Sequence, residues 1–97
     1  MITEIALMKI DPKTSDMFEK MAVDVTPKTL RKQKGYISDK LFHSIEHPED
    51  YVLVVEWESV EAHQAFIKSK DYPLMADSFG KFVISSTFAH HNTAVKS

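Results

Sequence analysis

The chain has 97 residues, which is enough for one domain and too few for a second hydrophobic core. Its net charge of −2 argues against nucleic acid as a partner, because phosphate binding requires clustered Lys and Arg. The absence of cysteine excludes disulfides, thiol catalysis and cysteine-based zinc sites, and it fits a cytoplasmic location. The apolar N-terminal run is too short for a signal peptide or a membrane span, so we expect no membrane partner.

The first predicted strand, Ile2–Ile10, is apolar on both faces. One face carries Glu4 among apolar residues, and the other carries Ile5 and Leu7. Asp11-Pro12 should end the strand.

A helix should follow, capped by Thr14 or Ser15. Its apolar residues recur at helical spacing: Met17, Phe18, Met21, Ala22 and Val25. Pro27 interrupts this pattern, so Thr26 is a candidate cap for a second short segment that carries Leu30 and ends at Gly35.

The second predicted strand covers Tyr36–Ile45. Strict alternation places His43 on one face with Ile37, Leu41 and Ile45, and it places Tyr36, Lys40 and Phe42 on the other face. The polar turn at 46–50 contains a proline and predicts an antiparallel hairpin to the next strand.

The third predicted strand, which begins at Tyr51, runs directly into a helix. Tyr51, Leu53, Val55 and Trp57 point to one face, and the opposite face is also apolar as far as Glu56. A strand with one solvent-exposed face alternates apolar and polar residues, and this strand does not. We therefore expect both faces of its sheet to be covered.

Ser59 should cap the second long helix, whose inward stripe is Val60, His63, Phe66 and Ile67. Pro73–Phe79 is compatible with a short helical turn, and Phe82–Ala89 with a last strand. The polar tail at 90–97 should fray.

The order β-α-β-β-α-β predicts an α+β, ferredoxin-like fold with a four-stranded antiparallel sheet, in a single domain over 1–97 with its core at 2–89. Both helices would cover one face of the sheet. A homodimer formed by sheet-to-sheet packing would cover the other face.

Several short runs resemble the antibiotic biosynthesis monooxygenase family of dimeric α/β-barrel proteins over residues 2–89. The most specific is Glu56-Trp57-Glu58-Ser59, which ends a strand and precedes a helix containing Ala62-His63. It follows a hairpin that contains His47-Pro48-Glu49-Asp50-Tyr51, and the strand before that hairpin carries Gly35-Tyr36 and Leu41-Phe42.

The resemblance implies a ferredoxin-like homodimer with a small-molecule pocket between each sheet and its helices. Family members differ in chemistry: some oxidise aromatic substrates with molecular oxygen and no metal or bound flavin, while others degrade haem, act on quinols or isomerise a sugar phosphate. The fold therefore leaves the reaction open.

The haem-degrading branch can be tested by residue. Its Trp and His positions fall on Phe66 and Ala76, and the first strand lacks the Asn that this branch carries. These differences argue against haem degradation. Many other members carry His at the position of Phe66, so catalytic roles do not transfer directly.

His63 and Trp57 are the candidate catalytic residues. His63 could take a proton from a phenol or hydroquinone, because the ordinary pKa of histidine is near neutral. Trp57 could form a wall of the pocket and donate its indole N–H. Each residue could instead be part of the core, Trp57 at the strand–helix corner and His63 satisfied by one hydrogen bond.

Five further residues are candidate substrate contacts: His43, Tyr72, Phe66, Met21 and Phe18. The alternation pattern does not decide which sheet face His43 occupies. A metal site at His90-His91 is disfavoured, because adjacent strand residues point to opposite sides.

The leading hypothesis is a homodimeric monooxygenase that acts on a small phenol or quinol without a tightly bound cofactor. One alternative is a non-catalytic or stress-responsive module that binds a small apolar ligand, which stabilisation without turnover would reveal. The other is an isomerase, which would require polar and cationic residues in the pocket.

Overall fold

The computed structural model describes residues 1–92, so positions 93–97 of the predicted polar tail lie outside it. Its helices and strands are β1 (Ile2–Ile10), α1 (Ser15–Val25), β2 (Tyr36–His43), β3 (Asp50–Trp57), α2 (Val60–Ile67), α3 (Tyr72–Gly80) and β4 (Val83–His91). Short 3-10 turns cover Pro12–Thr14, Thr26–Lys28 and Leu30–Lys32.

The four strands form one sheet in the order β2-β3-β1-β4, and every neighbouring pair is antiparallel. This is the predicted ferredoxin-like α+β arrangement. The two central strands, β1 and β3, are those predicted to be apolar on both faces, and they pair from Ile2 opposite Trp57 to Lys9 opposite Asp50.

The core lies between the sheet and the helices. Trp57, Tyr51 and Phe18 are among its largest fully buried side chains. Phe18 packs edge-on against Tyr51, with ring centroids 4.9 Å apart, and this contact joins α1 to β3.

The opposite face of the sheet is apolar and uncovered in the single chain. Leu7 of β1 and Phe42 of β2 are each about half exposed, at 52% and 51%. Val52, which pairs with Leu7 in the ladder, and Val54 are partly exposed on this face. We call this surface, formed by Ile5, Leu7, Phe42, Val52 and Val54, the outer sheet face.

The predicted alternation of β2 is wrong at its start. Tyr36 pairs with Trp57 whereas Ser38 pairs with the adjacent Glu56, so Ile37 is the extra residue of a bulge. Tyr36 therefore shares the helix-covered face with His43, and its ring lies edge-on to that of Trp57 at 6.3 Å. The bulge breaks the period of two on which the prediction relied.

The predicted ends of two strands also differ. β2 ends at His43 instead of Ile45, and Ile45 is 91% exposed. β4 continues to His91, because Glu4 and Thr3 of β1 pair with His90 and His91.

The segment predicted to start at Pro27 consists of 3-10 turns. Thr26 lies inside the first turn, Thr26–Lys28, instead of capping it. The helix before that segment, α1, begins at Ser15. Its N-cap Thr14 makes no side-chain capping bond. The cap at Ser59 is confirmed, since its hydroxyl accepts a hydrogen bond from the Ala62 amide at 3.2 Å. Within residues 1–92, no helix has the length and hydropathy needed to cross a membrane.

Candidate functional site

A cavity of about 490 Å³ lies between the sheet strands β1 and β4 and the helices α2 and α3. Its walls are mostly apolar, and they include Ala6, Met8, Phe66, Met75, Phe79 and Phe88. This volume falls in the range of about 300–1,000 Å³ that is typical of small-molecule sites. Two wall residues of β4, Ile84 and Phe88, are also exposed, at 69% and 57%, so the cavity opens along that strand.

One end of the cavity is polar. Glu4 of β1 and His63 of α2 both line it, and both are buried, with exposed fractions of 8% and 4%. Oε1 of Glu4 lies 3.3 Å from Nε2 of His63. The alternation of β1 turns Glu4 toward the helices, and the inward stripe of α2 turns His63 toward the sheet.

Trp57 lies directly behind this pair. Its indole Nε1 donates a hydrogen bond to Oε1 of Glu4 at 3.1 Å. Its ring stacks on His63, with centroids 5.2 Å apart and an interplanar angle of 25°. Trp57 is fully buried and is not among the cavity-lining residues, so it supports the polar pair from behind.

His90 of β4 extends the Glu4–His63 pair to a row of three side chains, Glu4, His63 and His90. Nδ1 of His63 lies 2.7 Å from Nε2 of His90, at hydrogen-bond distance. His63 therefore faces Glu4 with one ring nitrogen and His90 with the other. His90 is only half-buried, so the row runs from the cavity toward the surface.

Burial sets the charge state of His63 and Glu4 at the polar end of the cavity. Desolvation lowers the pKa of His63 from 6.5 to about 4, and the nearby His90 acts in the same direction. Desolvation also raises the pKa of Glu4, against the opposing effects of the Trp57 hydrogen bond and of His90. His63 is therefore a neutral imidazole at neutral pH, next to a carboxyl group whose affinity for a proton is increased.

The row is not arranged as a metal centre. Within residues 1–92, no group of three or more His, Cys, Asp or Glu side chains is placed to hold a metal ion. Both ring nitrogens of His63 face other side chains, whereas a metal ligand must present a free lone pair.

The structure places only some of the predicted site residues at the cavity. His63, Phe66 and Tyr72 line it. The two residues that fell on the haem-branch positions, Phe66 and Ala76, both face this space. The ring of Phe66 lies edge-on to Tyr72 at 5.4 Å, which joins α2 to α3 across the wall.

Phe18, Met21 and His43 do not line the cavity. Phe18 is fully buried behind Phe79, 5.6 Å from its ring, and Met21 packs against the core. The side of α1 that carries Phe18 and Met21 therefore packs into the core and does not line the cavity.

His43 lies on the helix-covered face of the edge strand β2, which decides the face that the alternation pattern left open. Because β2 does not neighbour the cavity strands β1 and β4, His43 lies away from the cavity. It stacks on Tyr51 at 4.1 Å, and its Nε2 lies 2.7 Å from the Pro48 carbonyl oxygen.

Sequence reasoning did not select Glu4 or His90 as site residues. The sequence did carry a signal for Glu4, since a carboxylate on the buried face of a central strand requires a partner. His90 carried no such signal, because its role depends on the pairing of β4 with β1, opposite Glu4.

Comparison with known proteins agrees with this architecture. Residues 1–84 match the profile of the family described as antibiotic biosynthesis monooxygenase. The chain is also 33% identical over 73 residues to the uncharacterised protein YczJ of Bacillus subtilis, a match that covers 74% of this chain and 76% of YczJ.

Solved structures show the same fold over nearly all of the chain. A Bordetella bronchiseptica protein, provisionally named an antibiotic biosynthesis monooxygenase, superposes with a TM-score of 0.88 at 28% identity and covers 97% of both chains. SnoaB of Streptomyces nogalater, a cofactor-independent oxygenase, superposes with a TM-score of 0.82. That match covers 98% of this chain and 94% of SnoaB, and at 14% identity it supports the fold alone.

Proposed function

This chain belongs to the antibiotic biosynthesis monooxygenase family, and we propose that it is a homodimeric monooxygenase that oxidises a small phenol or quinol without a tightly bound cofactor. The observation that carries the proposal is the apolar cavity with one polar end, formed by Glu4 and His63. Apolar walls suit a flat aromatic ring, and a proton acceptor at one end suits its hydroxyl group.

The proton acceptor in this proposal is the Glu4–His63 pair. The sequence-based hypothesis gave this role to His63 alone. Because Nε2 of His63 lies 3.3 Å from Glu4 and Nδ1 lies 2.7 Å from His90, the imidazole has no nitrogen turned solely to a ligand. Glu4, whose pKa is raised by burial, shares the incoming proton with it.

The reaction balances for a phenol with a free para position. The pair removes the hydroxyl proton, and the phenolate passes one electron to O₂. The resulting radical and superoxide combine to form a C–O bond at the para carbon. Loss of the ring proton and cleavage of the O–O bond leave a quinone and release the second oxygen atom, with the two protons, as water.

Deprotonation is the step that the protein must assist, because the phenolate is a far better one-electron donor than the phenol. A positioned acid or base contributes about 10²–10⁴-fold to such a step. Trp57 supports the pair by fixing Oε1 of Glu4 and stacking on His63.

The outer sheet face supports the homodimer. Leu7 and Phe42 are about half exposed there, and Val52 and Val54 extend the apolar surface between them. A contiguous exposed apolar surface on a small domain is typical of an interaction site, and a second copy of the sheet would cover it.

Oxygen consumption tests the proposal. Purified protein is incubated with 1-naphthol, whose para carbon is free, and uptake is followed with an oxygen electrode. We expect uptake that yields 1,4-naphthoquinone. Ligand-induced thermal stabilisation by 1-naphthol and by a panel of hydroquinones, with no uptake for any of them, would instead indicate the binding-only alternative.

A further inference from the structure

We infer that Glu4 is the specificity-determining residue of the cavity: its carboxylate oxygen Oε2 accepts the hydroxyl hydrogen of a neutral aromatic ligand. This inference deepens the proposed function and rests on it for the aromatic class of the ligand. It adds which atom recognises the ligand and which related molecules the cavity rejects.

The two oxygens of Glu4 differ in their surroundings. Oε1 accepts the indole hydrogen bond of Trp57 at 3.1 Å and lies 3.3 Å from Nε2 of His63. Among residues 1–92, no hydrogen bond engages Oε2. Because Glu4 lines the cavity and is only 8% exposed, Oε2 is an acceptor that a bound molecule can satisfy.

The carboxylate is also held in place. Glu4 lies in the central strand β1, between His90 of β4 and Val55 of β3 in the ladder. The fully buried Trp57 fixes one of its oxygens. A pre-positioned acceptor distinguishes ligands by whether they bring a hydrogen, because a ligand without one leaves the buried oxygen unpaired.

The charge around the cavity favours neutral ligands. Within the described part of the chain, the cavity lining contains no Lys or Arg, and Glu4 is its acidic residue. An aromatic carboxylate would bring a second negative charge close to Glu4 in an apolar space with no cation to balance it. The cavity should therefore select a phenol over both its methyl ether and the corresponding carboxylate.

Calorimetric titration of the full-length protein with three matched ligands, carried out without O₂ so that 1-naphthol is not oxidised, tests this selection. The ligands are 1-naphthol, 1-methoxynaphthalene and 1-naphthoate. We expect the wild-type protein to bind 1-naphthol about 10-fold or more tightly than the ether, as is typical of a hydrogen bond to a charged group. We expect 1-naphthoate to bind more weakly than both.

The variant Glu4→Gln isolates the role of Oε2. The glutamine carbonyl oxygen can still accept the Trp57 hydrogen bond, while the NH₂ group replaces Oε2 with a donor. The preference for 1-naphthol over the ether should fall to within about 2-fold, and 1-naphthoate should bind more tightly than it does to the wild-type protein. The control Glu61→Gln, at an exposed position of α2, should keep the wild-type order.

Glu4→Asp provides a second variant in case Glu4→Gln does not fold. It keeps the charge but withdraws the carboxylate by one methylene, and it should also reduce the preference for 1-naphthol. The inference is overturned if the wild-type protein does not bind 1-naphthol, if it binds the ether equally well, or if the folded variants keep the full preference.

Oxygen uptake separates this inference from the proposed function. Glu4-dependent selection of 1-naphthol without oxygen uptake by the wild-type protein supports the inference and counts against the monooxygenase. Oxygen uptake without any preference for the hydroxyl supports the monooxygenase and overturns the inference.

Discussion

Nδ1 of His63 lies 2.7 Å from Nε2 of His90, and this contact joins helix α2 to the end of strand β4. For two ring nitrogens to form a hydrogen bond, one must carry a hydrogen and the other must not. A neutral His63 satisfies this condition, and its low pKa of about 4 keeps it neutral at physiological pH. Of the two rings, that of His63 lines the cavity, and His90 contacts it from the side nearer the surface.

Replacing His63 with Ala should lower kcat/KM for oxygen uptake with 1-naphthol by about 10²-fold or more, because it removes half of the proposed proton-accepting pair. His47→Ala is the matched control, since His47 is exposed in the hairpin turn. It should leave kcat/KM within about 2-fold of the wild-type value. Equal rates for His63→Ala and the wild-type protein would remove His63 from the mechanism.

The low pKa of His63 should make stability depend on pH. In the unfolded chain its pKa is near 6.5, so between about pH 4 and 6.5 the unfolded state binds more protons than the folded state. The stabilising contribution of the neutral form is complete above pH 6.5 and is lost as the pH falls toward 4. The slope is at most about 1.4 kcal/mol per pH unit.

Urea unfolding of the wild-type protein and of His63→Gln at several pH values from 4 to 7 measures this contribution. Two other titratable groups face His63: Glu4 from β1 and His90 from β4. The raised pKa of Glu4 has the opposite effect on stability. The stabilising contribution of its protonated form falls as the pH rises above 4.5. The free energy of unfolding of the wild-type protein minus that of His63→Gln should increase with pH. A difference that stays constant from about pH 4 to 7 would contradict the low pKa of His63.

Trp57→Phe should destabilise the fold by about 1–3 kcal/mol, because it leaves the buried carboxylate of Glu4 without its indole donor while keeping an aromatic ring in the core. Urea unfolding measures the change. Tyr72→Phe is the control, since Tyr72 is half-buried and its hydroxyl forms no hydrogen bond within residues 1–92. That variant should change the free energy of unfolding by less than about 0.5 kcal/mol.

Gly35→Ala and Gly80→Ala should have opposite effects on stability. Gly35 has a φ of +86°, and a Cβ there would lie 2.6 Å from Cβ of Ala62. Its substitution should cost about 1–3 kcal/mol. A Cβ at Gly80 meets no atom within 4 Å, so that substitution should be neutral or stabilise by up to about 1 kcal/mol. Similar unfolding midpoints for the two variants would contradict the backbone geometry at Gly35.

Leu7→Glu should convert the proposed dimer into a monomer at micromolar concentration, because it places a charge in the outer sheet face opposite Val52. Val23→Glu is the matched control, since Val23 is 75% exposed on α1 and lies outside that face. Sedimentation velocity distinguishes the two outcomes. A wild-type protein that sediments as a monomer at this concentration would contradict the proposed interface.

Much of the fold could be predicted from the sequence because its signals are local and periodic. Double-sided apolar patterns marked β1 and β3, and Ser59 marked the start of α2. The bulge at Ile37 could not be predicted, since it depends on the register of β2 against β3. The same limit applies to the end of β4, which is extended by pairing with β1.

The candidate site was only partly predictable for the same reason. His63 stood out because helical spacing placed it on an apolar stripe. Phe18 and Met21 shared this kind of signal but belong to the core beside the cavity wall. Glu4 and His90 join His63 only through the pairing of β1 with β4 and the packing of α2, which are long-range contacts that no local pattern encodes.

Oxygen consumption with 1-naphthol by the wild-type protein and by Glu4→Gln tests most directly whether the Glu4–His63 pair accepts the substrate proton. We predict that the wild-type protein consumes one O₂ for each 1,4-naphthoquinone formed, and that Glu4→Gln slows this reaction by about 10²-fold or more. Wild-type uptake no faster than that of buffer alone, or equal rates for the two proteins, would show that the Glu4–His63 pair is not the proton acceptor of a monooxygenase.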